Sequence, residues 1–205
     1  MSKSKSSSSW LLRQRNDQYT QLAKSEGYRS RAVYKLLEIN AKEKILKPGV
    51  SVVDLGAAPG GWAQAAANLI KSSGLIIALD ILPMEAIPGV TCIQGDFTQT
   101  QALDDLINVL GGNQVDLVMS DMAPNMSGNR HVDQPKSMYL AELAKDFAKL
   151  YLKPGGNFLV KVFQGSDFNE YYTELKSQYQ RVLSIKPKSS RKESKEIYLL
   201  AKIKK

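Results

Sequence analysis

A single lysine interrupts an otherwise apolar segment, Phe158-Leu-Val-Lys161-Val-Phe163, whose composition is typical of a buried strand. A buried lysine is costly unless it is paired, and both burial and a neighbouring cation lower its pKa. Because a neutral amine accepts protons, Lys161 is a candidate general base. Lys35 could be the second cation, although a solvated lysine on a helix explains it equally well. Glu196, set among lysines and arginines, could orient the two lysines or simply relieve repulsion at the surface.

Three acidic residues, Asp54, Asp80 and Asp96, lie at or just after the ends of three successive predicted strands, and Asp121 ends the fourth. At the carboxyl end of a parallel strand, Asp80 can accept hydrogen bonds from both ribose hydroxyls of a nucleoside. Asp96 can accept one from an adenine amino group. Each acid taken alone is better explained as a strand-end or helix-capping residue. Three of them at successive strand ends, beside a glycine-rich loop, predict a nucleoside site.

The glycine-rich loop lies in Val52-Val-Asp-Leu-Gly-Ala-Ala-Pro-Gly-Gly-Trp62 and joins a predicted strand to a predicted helix. Gly56, Gly60 and Gly61 carry no side chain, so a ligand can approach the backbone closely. The spacing is not the dinucleotide fingerprint G-x-G-x-x-G, and Pro59 removes one N–H that a pyrophosphate would need. The loop therefore favours a nucleoside without phosphates, S-adenosyl-L-methionine above all, although a turn that binds nothing has the same appearance.

The residues after Asp121 bear on the acceptor of any transferred methyl group. Enzymes that methylate exocyclic amines place Asn/Asp-Pro-Pro-Tyr/Phe at this strand end, where the aromatic ring helps to hold the amine. This chain has Met-Ala-Pro124 instead, with no aromatic residue. The sequence thus argues against a base amine as the acceptor.

The order of predicted elements indicates how these residues are positioned. Short apolar runs alternate with helical segments, which predicts a mostly parallel sheet with helices on both faces. Strands are expected at 51–55, 75–81, 90–94, 115–121 and 157–163, and helices at 61–71, 100–110, 136–152 and 167–179. Two further strands, Arg181–Pro187 and Glu196–Ile203, follow each other without a helix and predict a C-terminal antiparallel hairpin. The α/β sheet would then have seven strands.

The amino-acid composition limits the possible domain organisation and the possible partners of the protein. We expect a basic, Ser-rich disordered tail at 1–9 and one domain at 10–205, in which 10–47 form a basic helical extension. The net charge of +8 is uneven, because residues 1–47 and 176–205 are strongly basic whereas 48–175 are acidic. Basic ends predict a polyanionic partner, most simply nucleic acid, with solvated basic faces as the alternative. With one cysteine and one histidine, a zinc site is not expected. No apolar stretch is long enough for a membrane span.

Four separated motifs resemble the FtsJ family of S-adenosylmethionine-dependent ribosomal RNA 2′-O-methyltransferases. They are Arg29-Ser-Arg-Ala-Val-Tyr-Lys35, Asp54-Leu-Gly-Ala-Ala-Pro-Gly-Gly-Trp62, Ser120-Asp-Met-Ala-Pro-Asn-Met-Ser-Gly128 and Val160-Lys-Val-Phe-Gln-Gly165. The likeness runs from about residue 10 to the end of the sequence. It implies a Rossmann-like methyltransferase fold. It also implies a catalytic set of Lys35, Asp121, Lys161 and Glu196, and cofactor contacts at Gly60, Trp62, Asp80, Asp96 and Asp121.

The same resemblance implies a substrate and a setting. The expected acceptor is the ribose of a uridine in 23S ribosomal RNA, within an assembled large subunit. We expect a cytoplasmic monomer without membrane association. Three alternatives stay open at this point: methylation of another RNA such as transfer RNA, a non-catalytic ribosome-assembly factor, and a nicotinamide-dependent oxidoreductase, which the loop disfavours.

Overall fold

The computed structural model describes residues 17–71, 74–165, 167–191 and 193–205. The expected tail at 1–9 and the first residues of the helical extension lie outside these ranges. The described strands are β1 (Val52–Leu55), β2 (Ile76–Asp80), β3 (Thr91–Gln94), β4 (Val115–Ser120), β5 (Leu152–Phe163), β6 (Tyr179–Ile185) and β7 (Glu196–Lys204). The described helices are α1 (Gln18–Ser25), α2 (Val33–Glu43), α3 (Gly61–Ile70), α4 (Thr100–Leu110), α5 (Arg130–Tyr151) and α6 (Phe168–Gln178).

The strands form one sheet in the order β3-β2-β1-β4-β5-β7-β6. Strands β3, β2, β1, β4 and β5 are mutually parallel, whereas β7 is antiparallel to both β5 and β6. The predicted fold class, a seven-stranded mostly parallel sheet with a C-terminal antiparallel hairpin, is confirmed. The chain reverses its direction of winding between β1 and β4, so the carboxyl ends of these two strands border a crevice.

Both faces of the sheet are covered, which explains the near-continuous apolar strands. Neighbouring residues of β1 point to opposite sides: Val53 packs with α4, α5 and α6, and Val52 packs with α2 and α3. All four residues of β1 are buried, including the acidic Asp54. The strand that leads into the glycine-rich loop therefore lies in the buried centre of the sheet.

Two element boundaries differ from the sequence prediction by more than two residues. Helix α5 begins at Arg130 rather than at 136, because the Asn129 side chain accepts a hydrogen bond from the His131 N–H and caps the helix ahead of Pro135. Strand β5 begins at Leu152 rather than at 157. Leu152 already pairs with Val115 before an irregularity in the register, so the Pro-Gly-Gly segment interrupts the pairing without ending the strand.

The helical extension is an integral part of the domain. The Trp62 indole N–H donates to the Ala32 carbonyl at 2.8 Å, which joins α3 to the start of α2. The Glu38 carboxylate on α2 accepts from the backbone N–H groups of Lys188 and Ser189, at 2.7 and 2.9 Å. These contacts hold α2 against both the glycine-rich loop and the β6–β7 connection, and so bring Lys35 toward the sheet.

Candidate active site

The four residues of the predicted catalytic set form two ion pairs at one edge of the crevice. The Lys161 ammonium lies 3.1 Å from Asp121 Oδ1 and donates to the Asp121 carbonyl oxygen at 2.6 Å. The Lys35 ammonium lies 2.7 Å from Glu196 Oε1. Each of these four side chains is less than one-fifth exposed, which leaves both pairs largely shielded from water. The structure thus brings together residues that are as far apart in the chain as Lys35 and Glu196.

The sheet register accounts for this assembly. Asp121 directly follows β4, and Lys161 lies on β5, the parallel neighbour of β4. On the other side of β5, the antiparallel strand β7 places Tyr198 opposite Lys161 and Glu196 opposite Phe163. Neighbouring strands therefore bring Asp121, Lys161 and Glu196 to the same end of the sheet.

Tyr198 is a site residue that sequence reasoning missed. Its hydroxyl donates to Asp121 Oδ1 at 2.7 Å, and its ring lies 5.5 Å from the Lys35 ammonium and 5.7 Å from the Trp62 ring. Tyr198 therefore lies between the two ion pairs and contacts members of both. A tyrosine two positions after Glu196 shares its strand face, but its relation to Lys161 depends on a pairing register that only the structure supplies.

The charges of the site keep Asp121 ionised. Burial alone would raise its pKa, but the Lys161 ammonium, then Lys35 and the Tyr198 hydroxyl, hold that pKa below its usual range. Burial raises the pKa of Tyr198 well above its usual value, and the charges of Asp121 and Glu196 act in the same direction. The site therefore contains a carboxylate anion that accepts from a neutral phenol.

An open cleft of about 590 Å³ lies at the carboxyl ends of β1 to β4, beside Asp121. The predicted cofactor residues that line it are Gly56, Asp80, Asp96 and Asp121. Asp80 accepts hydrogen bonds from the Ala58 and Leu82 N–H groups, each at 2.8 Å, so it also shapes the loops on either side. Asp96 accepts from the Thr98 N–H and hydroxyl at 2.9 and 2.8 Å. The expectation that these acids meet at one ligand site agrees with this arrangement.

The cleft lining does not include Gly60, Gly61 and Trp62. A Cβ atom on Gly60 would lie 2.7 Å from the Ile87 Cδ1 atom, and one on Gly61 would collide with the Ser30 side chain. The Trp62 indole is buried, with 3% of the residue exposed. The absence of side chains at the two glycines therefore permits tight packing against the 29–35 segment. That these three residues contact a cofactor remains a prediction, and any such contact would involve their backbone atoms.

Arg29 is a second residue whose role the sequence did not reveal. Its guanidinium donates to the carbonyl oxygens of Glu85 and Ala86 at 2.7 and 2.8 Å, and to that of Pro59 at 3.4 Å. It joins the glycine-rich loop to the segment that follows β2. Arg29 thereby supports the cleft from behind rather than being free to contact phosphates.

Asp54 is the deepest charged group of the site. It is fully buried, and neither carboxylate oxygen has a hydrogen-bond partner among the described residues. Burial raises its pKa well above the usual range, and the negative charges of Asp121 and Asp80 raise it further. The folded protein therefore favours the protonated form of Asp54.

Replacing Asp54 with asparagine is expected to stabilise the protein increasingly as the pH rises. Below the pKa of Asp54 in the unfolded chain, about 3.9, both states of the wild type are protonated and there is no penalty. Above it the unfolded chain ionises but the folded one resists, so the wild type loses up to about 1.4 kcal/mol per pH unit relative to the variant. Urea unfolding between pH 4 and 7 measures the difference. A difference that stays constant with pH, as expected for the exposed control Asp104→Asn, would contradict this account.

No group of three or more His, Cys, Asp or Glu side chains suited to a metal ion occurs in the ranges that the structure describes. Within the same ranges, no helix combines the length and apolar character needed to cross a lipid bilayer.

Comparison with known proteins places this geometry among methyltransferases. The model of the FtsJ-like methyltransferase family matches residues 28–204. The ribosomal RNA large subunit methyltransferase E of Chromohalobacter salexigens is 56% identical over 97% of this chain and 94% of its own length. Its counterpart in Legionella pneumophila is 55% identical over 98% of each chain.

Solved structures agree with this placement. A ribosomal RNA methyltransferase from Plasmodium falciparum is 33% identical and covers 86% of this chain and 98% of its own, with a TM-score of 0.77. Aeropyrum pernix fibrillarin, solved with natively bound S-adenosyl-L-methionine, is 18% identical over 85% of this chain and 75% of its own, with a TM-score of 0.56. At that identity it shares the fold alone.

Proposed function

The chain belongs to the FtsJ-like methyltransferase family, and we propose that it methylates the ribose 2′-hydroxyl of a uridine in 23S ribosomal RNA. The observation that carries this proposal is the Lys161–Asp121 pair, a shielded amine at the rim of a nucleoside-sized cleft. Such a pair suits the removal of a hydroxyl proton, since hydroxyl oxygens are poor nucleophiles until they lose that proton.

The cleft fits S-adenosyl-L-methionine. This cofactor supplies a methyl group that its sulfonium has already activated. Asp80 stands where it can accept from ribose hydroxyls, and Asp96 where it can accept from the adenine amino group. Asp121 is an anion at the end of the same cleft, which favours a cationic ligand. The glycine-rich loop borders the cleft with Gly56, which has no side chain, and with the small side chain of Ala58.

Lys161 acts as the general base in this mechanism. Asp121 and its own carbonyl oxygen fix the position of the ammonium group, so that the amine is aimed before the substrate arrives. Lys35, held by Glu196, adds a second positive charge in the same site. In its unprotonated form the Lys161 amine would accept the 2′-hydroxyl proton. The sulfonium of S-adenosyl-L-methionine, held beside Asp80 and Asp96, would supply the methyl group to that oxygen and depart as a neutral thioether.

Basic residues around the site supply the grip on RNA phosphates. The connection between β6 and β7 exposes Lys186, Lys188, Arg191 and Lys195. Glu38 holds this connection against α2 through the backbone N–H groups of Lys188 and Ser189, and the Arg31 guanidinium donates to the Ser189 carbonyl oxygen. The described part of the basic N-terminal segment and the β6–β7 connection therefore meet next to Lys35 and Glu196.

RNA binding is accordingly expected to weaken steeply with salt. Each lysine that neutralises a phosphate contributes about one unit to the slope of log affinity against log salt concentration. Lys188→Gln should lower that slope by about 1 and weaken binding to all RNA sequences alike. Filter binding of large-subunit RNA at several salt concentrations measures the slope. Lys149→Gln, which changes an exposed lysine at the far end of α5, should leave it unaltered; equal slopes for all three proteins would refute the assignment.

The proposed substrate is the assembled large subunit, and the proposed enzyme is a cytoplasmic monomer. The test is methyl transfer from labelled S-adenosyl-L-methionine to large subunits that lack their own methylation, with Lys161→Ala alongside. Label at a uridine 2′-oxygen, lost in the variant, is the expected result. Label only on transfer RNA or on naked ribosomal RNA would replace the substrate. Cofactor binding without transfer to any RNA would favour the assembly-factor alternative.

A further inference from the structure

A second cavity, of about 350 Å³, lies beside the catalytic residues. Four separate parts of the chain build it: the loop after β4, the first turns of α5, the end of β5 and the connection that leads into β7. Its lining includes Met126, Asp133, Ser137, Phe163, Gln164 and Ser194. None of these six residues lines the cofactor cleft.

The cavity and the cleft lie on either side of the loop that follows Asp121. Residues 121–125 line the cleft, and Met126 lines the cavity. Phe163 is two positions beyond Lys161 on β5, so the two side chains share a face of the strand. Phe163 also pairs with Glu196, whose neighbour Lys195 lines the cavity. The cavity therefore adjoins the end of the strand that carries Lys161, with the 121–126 loop between it and the cofactor cleft.

Two apolar side chains in this cavity have no structural explanation. Met126 is 57% exposed, and Phe163 is half-buried. Among the described residues, all three clusters of core side chains omit them. An aromatic ring and a thioether that do not contribute to the core, set at the rim of a cavity, are suited to contact a ligand.

The walls of the cavity are held in place before any ligand binds. The Asp133 carboxylate accepts from the Ser127 N–H and hydroxyl, both at 2.8 Å, and from the Gly128 N–H at 3.0 Å. These hydrogen bonds hold the pKa of Asp133 below its usual range, so it remains an anion that anchors the loop. The Ser137 hydroxyl donates to the Asp133 carbonyl oxygen at 2.9 Å. The cavity is thus pre-formed, as binding pockets for small planar groups usually are.

We propose that this cavity binds the base of the nucleotide whose ribose is methylated, turned out of its stack and placed between Phe163 and Met126. The inference rests on the proposed function. The second cavity is the neighbouring opening across the 121–126 loop, and so offers a place outside the cofactor cleft for the base attached to that ribose. Bases of single-stranded or extruded nucleotides bind on aromatic side chains, with polar groups at their edges. The apolar pair supplies the stacking surface.

The test combines a change in the cavity with a change in the base. Large subunits are reconstituted with either uridine or an abasic nucleotide at the acceptor position, and kcat/KM for methyl transfer is measured. Phe163→Ala should lower kcat/KM on the uridine acceptor about 5- to 150-fold, the usual effect of removing a stacking ring. On the abasic acceptor the same substitution should have little effect, because no base is present to stack.

Two control variants and the outcomes on both acceptors distinguish a wrong assignment of the cavity from a wrong proposed function. Phe163→Leu keeps an apolar side chain but no ring and should fall between the wild type and the alanine variant. Leu150→Ala, which removes an exposed apolar side chain at the opposite end of the sheet, should match the wild type on both acceptors. Equal losses by Phe163→Ala on both acceptors, or no loss on either, would overturn the assignment of the cavity. Absence of transfer by the wild type to the uridine acceptor would instead overturn the proposed function, and this inference with it.

Discussion

Lys161→Arg is expected to lower kcat for methyl transfer about 100- to 10,000-fold, the usual contribution of a general base. The guanidinium stays protonated and cannot accept the hydroxyl proton, yet it preserves the positive charge beside Asp121. Folding and cofactor affinity should therefore change little. Single-turnover transfer to large subunits measures the rate, and calorimetric titration with S-adenosyl-L-methionine measures the affinity.

Lys35→Arg is the matched control for this experiment. Lys35 forms its ion pair with Glu196 and acts in our mechanism through its charge, which arginine retains. Its variant should keep most of the activity, in contrast to Lys161→Arg. If both variants were equally inactive, the loss would reflect the shape of the site rather than the loss of a base. Near-normal transfer by Lys161→Arg would remove the general-base role altogether.

Asp80→Ala is expected to raise the Kd for S-adenosyl-L-methionine about 100-fold. The substitution removes the proposed acceptor for the ribose hydroxyls and also frees the Ala58 and Leu82 N–H groups that shape the cleft. Hydrogen bonds to a charged group contribute about 1.5–3 kcal/mol each, and every 1.4 kcal/mol changes Kd tenfold. Calorimetric titration gives the Kd, and thermal unfolding shows whether the fold is retained.

The two variants should fail in different ways. Because Asp80→Ala leaves the catalytic residues in place, a saturating concentration of cofactor should restore much of its transfer rate. Excess cofactor should not rescue Lys161→Arg. Asp104→Ala, which changes an exposed acid on α4, is the control for the general effect of removing a negative charge. An unchanged Kd for Asp80→Ala would show that Asp80 has no part in cofactor binding.

The sequence was sufficient to predict the fold and the general place of the site. Parallel strands bring their carboxyl ends to one edge of a sheet, so Asp80, Asp96 and Asp121 had to meet once the strands were recognised. Lys161 was identifiable from the sequence because a lysine buried in an apolar strand is costly unless it has a partner. The membership of the FtsJ family, predicted from four motifs, is confirmed.

The pairing of the side chains was not predictable. That Tyr198 bonds to Asp121 follows from the register of β5 against β7, and local sequence does not specify that register. Arg29 was expected among the cationic residues that serve RNA, but its guanidinium binds backbone carbonyls of a loop more than 50 residues away. The start of α5, predicted at 136, was missed because the cap at Asn129 begins the helix more than one turn before Pro135.

The contacts between α2 and the β6–β7 connection affect the order in which the chain folds and becomes active. The hydrogen bonds from Lys188 and Ser189 to Glu38 link residues 150 and 151 positions apart, and the ion pair between Lys35 and Glu196 lies beside them. Contacts of such high sequence separation are entropically demanding and form slowly. A partly folded chain can thus contain the central strands without a complete set of catalytic groups. Recovery of enzymatic activity during refolding should therefore lag behind the recovery of helical circular dichroism. The delay would measure the time that the chain needs to join α2 to the β6–β7 connection.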